Sequence, residues 1–355
     1  CSALRATPPR PINTITDSTT ANLGAGAVVS AGGEVAVTAA DEATIGSLAF
    51  GLAGAPSYAV GGAAVTNTVG DITRAYVAGG GELDAEKARI TKAGAVTIGA
   101  GSTVRVSGTS LGASVGGVAA GASVVDSRVG GQTQAFIGDY AAIGQEADTT
   151  VGGLAIAASS DVAVESDVLA LSTGIGAGTV NLARAVIDPS VQASIGHAGV
   201  RTSGDIILTS HSKADADAHA FGVTAAGLAL GASAATATVA PDMDTFVGAG
   251  AEVISTEGAI ALQSVHNYED LEATTAVGGA TAQANASGGG PVASGQGAVP
   301  TADASALVDT YVDTGATLRA GGAISIASHA SNTAIAEANA ISVSAVATGA
   351  SIANA

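Results

Sequence analysis

A short run ending in an aliphatic residue, usually followed by Gly, recurs along the whole chain. It reads Thr73-Arg74-Ala75-Tyr76-Val77, Thr133-Gln134-Ala135-Phe136-Ile137, Val191-Gln192-Ala193-Ser194-Ile195, Met243-Asp244-Thr245-Phe246-Val247 and Leu307-Val308-Asp309-Thr310-Tyr311-Val312. The last aliphatic of each run stands at 77, 137, 195, 247 or 312, a recurrence that is uneven but never lost. Self-similarity of this kind marks a chain that stacks one supersecondary unit on the next, because a single unit cannot bury its own apolar face.

Each anchor is followed by a second landmark, a turn-forming residue and then alternating aliphatics. The copies are Gly33-Glu34-Val35-Ala36-Val37, Ser102-Thr103-Val104-Arg105-Val106, Ser160-Asp161-Val162-Ala163-Val164, Gly204-Asp205-Ile206-Ile207-Leu208, Gly258-Ala259-Ile260-Ala261-Leu262 and Gly322-Ala323-Ile324-Ser325-Ile326. A Gly/Ala/Ser segment closes each unit, as at Gly121-Ala122-Ser123 and Gly231-Ala232-Ser233. Asn13 to Leu23 aligns without a gap on Asn67 to Val77, and Gly349-Ala350-Ser351 has the phase of Gly231-Ala232-Ser233, so a parent protein extending past Ala355 is expected. The domain reading is an irregular segment at 1–11 and a continuous β-solenoid over 12–355, about six units of roughly 58 residues each.

Period-two alternation is the signature of a strand with one buried face. Lys213-Ala214-Asp215-Ala216-Asp217-Ala218-His219-Ala220 puts alanines on one side and charged or polar groups on the other. Ala also favours helix, but the interleaved Gly, Val, Ile, Ser and Thr do not. The expected fold is all-β, a right-handed parallel β-helix of tandem repeats, with three coils of roughly 20 residues in each unit. Ile206, Leu208, Ile260, Leu262, Ile324 and Ile326 should line one interior wall, with Thr209 and Ser325 facing out. Glu82 to Ala93 and the Gly/Pro-rich Gly288 to Val299 read as protruding insertions.

Aromatic residues are 3% of the chain and Trp is absent, so the core must be built from small side chains. The 50 glycines fit corners that require positive φ. A net charge of -18 without a Lys/Arg cluster excludes nucleic acid as a partner. The single cysteine, Cys1, rules out an internal disulfide; Cys1-Ser2 is either a lipidated mature N-terminus or a fragment boundary. Gly108 to Val125 and Ala220 to Ala240 carry no charge and approach membrane-spanning length, but they lack Leu, Ile and Phe in quantity and interfacial aromatic belts. No transmembrane span is expected.

The five histidines, His197, His211, His219, His266 and His329, have no His-x-His or HExxH spacing and read as solvated strand-face residues. Asp215/Asp217 and Asp242/Asp244 are i, i+2 pairs on one strand face, able either to hold Ca²⁺ or simply to solvate that face; the latter is expected, with no metal, cofactor or catalytic residue. No GxSxG, Walker or Rossmann pattern is present. A polysaccharide-degrading β-helix would need clustered acids and aromatic platforms that this composition does not supply.

The unit resembles the repeats of large leukotoxin-type filamentous adhesins, within the filamentous-haemagglutinin-like surface proteins of Gram-negative bacteria. The resemblance rests on Gly204 to Ala214, the Gly/Ala stretch after it, Val239 and Phe246-Val247-Gly248. It implies export to the bacterial cell surface and a structural stalk or filament, not an enzyme. The partners it implies are host or neighbouring-cell surface molecules, or further copies of the chain. The alternative is a solenoid whose flat face binds ice, a glycan or a host protein; for ice, only Thr66-Asn67-Thr68 and Thr236-Ala237-Thr238 hint at the Thr ladders required.

Overall fold

The computed structural model describes residues 9–81, 86–145 and 150–355. Cys1 and most of the segment expected to be irregular therefore lie outside the described residues. Among the described residues the fold is all-β, and every strand-to-strand pairing is parallel. The anchors form one column, Leu23, Val77, Ile137, Ile195, Val247 and Val312, each paired with the next. Gly121, Thr179, Gly231, Gln296 and Gly349 form another.

Each strand pairs with its counterpart one whole unit along the chain, Leu154 with Ile206 and Asp242 with Leu307. One unit is therefore one circuit of the chain, which corrects the expectation of three short coils in each unit. Glu34–Val77 shows the path of a circuit. It runs outward to Ala55, loses its partners at Pro56 and Ser57, and returns from Tyr58. The two limbs then lie so close that a Cβ on Gly51 would overlap the Gly62 carbonyl. Alternation reports which face a residue lies on but not where the strand turns back, so the sequence was silent on this long arm.

Short strands close the wide end of each circuit. Val28–Ser30, Arg89–Lys92, Ala142–Ile143, Gly199–Thr202, Glu252–Ser255 and Thr317–Ala320 form a separate six-stranded sheet. Gly250 and Gly315, at φ 70° and 73°, make the turns leading into the last two of these. The interior divides accordingly. Ile98, Ile156, Leu208, Met243, Ile260 and Leu262 fill the three-sided wide end, whereas the two-sided arm is packed mainly by Ala and Val. Within the arm, hydroxyls reach across to the facing backbone, as Ser110 Oγ donates to the Ala63 carbonyl at 2.9 Å.

Four second-landmark residues, Val35, Ile206, Ile260 and Ile324, share a column that Val96 and Leu154 occupy in the other two circuits. Val104-Arg105-Val106 and Val162-Ala163-Val164 lie further out along the arm, beside Ala43, Ile45, Ala214 and Ala216. Both sets face inward, and period two cannot separate them. Ile206, Leu208, Ile260 and Leu262 are buried as expected, but Ile324 and Ile326 are 48% exposed because no further strand covers the last circuit, and Thr209 is buried although expected to face out.

Gly288 to Val299 is not an insertion: it is the tip of an arm, strand on both sides of a bend at 290–292 and in register with Thr224–Ala225 and Leu228–Ala234. The excursion of that circuit is 267–278, closed by an antiparallel bridge between Tyr268 and Ala276. Of the other expected insertion, Glu82 to Ala85 lie outside the described residues, and Arg89–Lys92 is a paired strand.

A column facing the core changes chemistry part-way along. Ala39, Ala100 and Ala158 are followed by Ser210, Ser264 and Ser328, while the opposite column passes from Ala75, Ala135 and Ala193 to Thr245 and Thr310. Where both sides carry hydroxyls they form a chain of donors: Ser328 to Thr310 (2.9 Å), Thr310 to Ser264 (2.8 Å), Ser264 to Thr245 (3.0 Å) and Thr245 to Ser210 (2.9 Å). Thr245→Ala alone should cost about 1–2 kcal/mol by leaving buried hydroxyls short of a partner. Adding Ser264→Ala recreates the Ala-lined interior of the earlier circuits, so the double variant should lose less than the sum of the singles in a denaturation-based cycle.

Candidate functional site

On the outer face of the outbound limbs, stacking brings distant acids together. Asp167 lies beside His219, which lies beside Gln283 and then Glu337; in the next outward-facing column Glu165 lies beside Asp217, and Asp215 beside Ala163. Among the described residues, Glu165, Asp167 and His219 converge, with ligand atoms all within 4.8 Å of one another. His219 Nδ1 is 3.0 Å from Asp167 Oδ1. Glu165, Asp215 and Asp217 also line a shallow groove of about 400 Å³ together with Arg105, whose guanidinium is held by Asp161 at 2.9 Å.

The hydrogen bond to Asp167 pushes the His219 pKa above its ordinary 6.5, against the opposing effect of burial. The charge of Asp167 raises Glu165, and burial raises Asp215. The cluster thus holds protons more tightly than its parts would in water. One imidazole and two carboxylates are also a donor set of the kind that binds Zn²⁺ or Mn²⁺. Because the folded His219 pKa is raised, its contribution to stability is fully present below pH 6.5 and is lost as pH rises through the folded value. Asp167→Asn should bring the His219 titration, followed by its ring-proton NMR shifts, back toward 6.5.

The expected Asp pairs fare differently. Asp215 and Asp217 do share an outer face, and Asp217 acts electrostatically on both Glu165 and His219. Asp242 and Asp244 sit on Asp242–Val247 of the returning path, where burial raises Asp244 and the charges of Asp242 and Asp309 add to the effect. The expectation of solvated histidines fails for His266, which is fully buried. Its ring nitrogens meet only the backbone of Ser212, without a well-formed hydrogen bond, and Ser212 Oγ beside it has no hydrogen-bond partner among the described residues. His219 was missed as a cluster member because its partner lies a whole circuit away in the chain; only the circuit offset, applied to Asp167, would have found it.

Comparison with protein families, with curated proteins and with solved structures found no match to this chain. The Thr pairs noted above extend by one circuit at most: Thr68 stacks on Thr14 and Thr236 on Thr301, but on their other sides Thr66 and Thr68 meet Asp126 and Arg128, and Thr236 meets Arg184.

Proposed function

We propose that this chain is a structural segment of the stalk or filament of a large secreted bacterial surface adhesin, folded as a right-handed parallel β-helix of tandem repeats. The observation that supports it most is the parallel ladder that carries on from circuit to circuit, each the template for the next. Such a ladder grows by about 4.8 Å per circuit without changing its cross-section, so it spans distance instead of enclosing a site. The small-residue interior serves the same end, since ladders of Ala and Val tolerate loss of one circuit's detail while keeping the backbone register. In this reading the partners are molecules of host or neighbouring cells, met at the outer faces, and the chain carries no catalytic role.

Antibodies raised against the purified chain should label intact cells of the source bacterium, and the chain added in excess should reduce attachment of those cells to their substratum. Labelling confined to lysed cells would overturn the surface assignment. Unchanged attachment would overturn the adhesive one.

A further inference from the structure

Two acids face each other across the interior at the neck where the arm leaves the wide end. Asp41 stands between Ala39 of the wide-end cluster and Ala43 of the arm cluster, and Asp71 and Thr73 stand between Val69 and Ala75 on the returning limb of the same circuit. The doubling back of the chain brings Asp41 within hydrogen-bonding reach of Asp71. Each carboxylate is held at one oxygen and open at the other. The Asp17 N–H donates to Asp71 Oδ1 at 3.0 Å, and the Thr19 hydroxyl donates to Asp41 Oδ1 at 3.3 Å. Asp41 Oδ2 and Asp71 Oδ2 are buried and have no hydrogen-bond partner among the described residues. The Thr73 hydroxyl shares the inward face of Asp71 and lies beside Thr19 in its column; it is fully buried and equally without a partner.

We propose that Asp41 Oδ2, Asp71 Oδ2 and the Thr73 hydroxyl bind a Ca²⁺ ion inside this neck. Charge and donor chemistry decide the occupant. Burial raises the pKa of Asp71, and the charges acting on it, those of Asp41 and Asp17, are both negative. Buried acids without a positive partner are costly, and the fold does not need them here. The same columns continue as Ser102, Ser160 and Ser212 on one side and as Gly131 on the other. A divalent cation offsets both charges and also uses the open hydroxyl, which a proton shared between the two carboxylates would leave unpaired. The donors are all oxygen, which selects a hard cation over the Zn²⁺ or Mn²⁺ suited to the outer His219 cluster. Ca²⁺ accepts irregular oxygen sets, whereas Mg²⁺ demands a near-ideal octahedron and keeps several waters that a narrow neck has little room for. Bound there, the ion ties the outbound limb to the returning one, whether or not the chain belongs to an adhesin.

Calorimetric titration with CaCl2 at neutral pH, on chain first stripped with a chelator, measures the affinity, and amide exchange locates the ion. The wild type should take up Ca²⁺, and exchange across 72–77 should slow as it does. Asp71→Asn keeps the shape of the side chain and removes a buried charge, so it should retain the far-UV circular dichroism of the wild type and lose that protection. Thr19→Ala releases Asp41 Oδ1 and should weaken Ca²⁺ binding by about tenfold, as loss of a group that orients a ligand does. Asp217→Asn, in the acidic row outside the arm, should leave the protection across 72–77 unchanged. Protection that Ca²⁺ still confers on Asp71→Asn would overturn the proposal, since the ion would then sit on the outer acids. So would equal protection from MgCl2 at the same concentration, the mark of simple screening of the net charge of -18. A wild type that shows neither heat nor protection would overturn it as well, and leave a proton shared between the two carboxylates as the occupant.

Discussion

Ile260→Ala should destabilise the circuits around it by about 2–5 kcal/mol, the range for truncating a fully buried aliphatic in a packed core. Ile260 is completely buried, stacked between Ile206 and Ile324 and packed within the wide-end cluster. Two controls separate burial from mere position. Ile324→Ala removes the same atoms from the same column where the side chain is half exposed, and should cost clearly less. Ile207→Ala changes an outward, partly exposed neighbour, and should cost within about 1 kcal/mol. Because each circuit touches mainly its neighbours, the loss should be local. Hydrogen exchange on the Ile260→Ala variant should quicken first in Ile206–His211 and Ile324–Ala330 and only later near Val35 and Val96. Uniform loss of protection along the chain would contradict the stacked architecture.

Acid should loosen the same region through His266. Burial lowers its pKa from 6.5 to about 4, and the charge of nearby His211 acts in the same direction. The sign follows from the depressed folded pKa. The neutral ring is favoured in the fold, so its contribution is complete above pH 6.5 and is lost as pH falls toward about 4. A displacement of that size corresponds to roughly 3 kcal/mol at the acid end. Asp71, Glu165, Asp188, Asp215 and Asp244 have raised pKa values and act in the opposite sense above the ordinary carboxylate range, so the wild-type profile alone would blend the two. His266→Leu isolates the effect. It removes a buried polar ring whose nitrogens make no well-formed hydrogen bond among the described residues, so at pH 7 it should be neutral or stabilising. Between pH 6.5 and 4 the exchange protection of Ile260–His266 should drop in the wild type relative to the variant, in which only the acids still titrate. Equal falls in both would show that His266 does not ionise inside the fold.

Strand content and inward-facing positions were readable from the chain because alternation is a local property: a side chain on a strand has only two faces to choose between. The anchor column was readable for a second reason. An aliphatic after an aromatic or small residue, followed by Gly at Ile137, Ile195 and Val247, marks one phase of the unit, so these anchors, with Val77 and Val312, could be aligned without knowing the path between them. Val-x-Val pairs offered no such landmark. Val96/Ile98 and Val104/Val106 are both inward and both β-branched, and only main-chain register told them apart.

Packing decided what local pattern leaves open. Whether a unit makes one circuit or three depends on how closely two limbs can approach. Gly51 beside Gly62 and an Ala-lined interior allow a two-sided arm in which the chain doubles back without a corner. The same doubling turned the charge-free stretch 108–125, and 220–240 up to Val239, into strand, and among the described residues no helix is long and apolar enough to cross a membrane. The Glu165, Asp167 and His219 cluster arises for the same reason: its members are close only after one circuit has been laid on the next, and an offset of a whole circuit leaves no trace in any local motif.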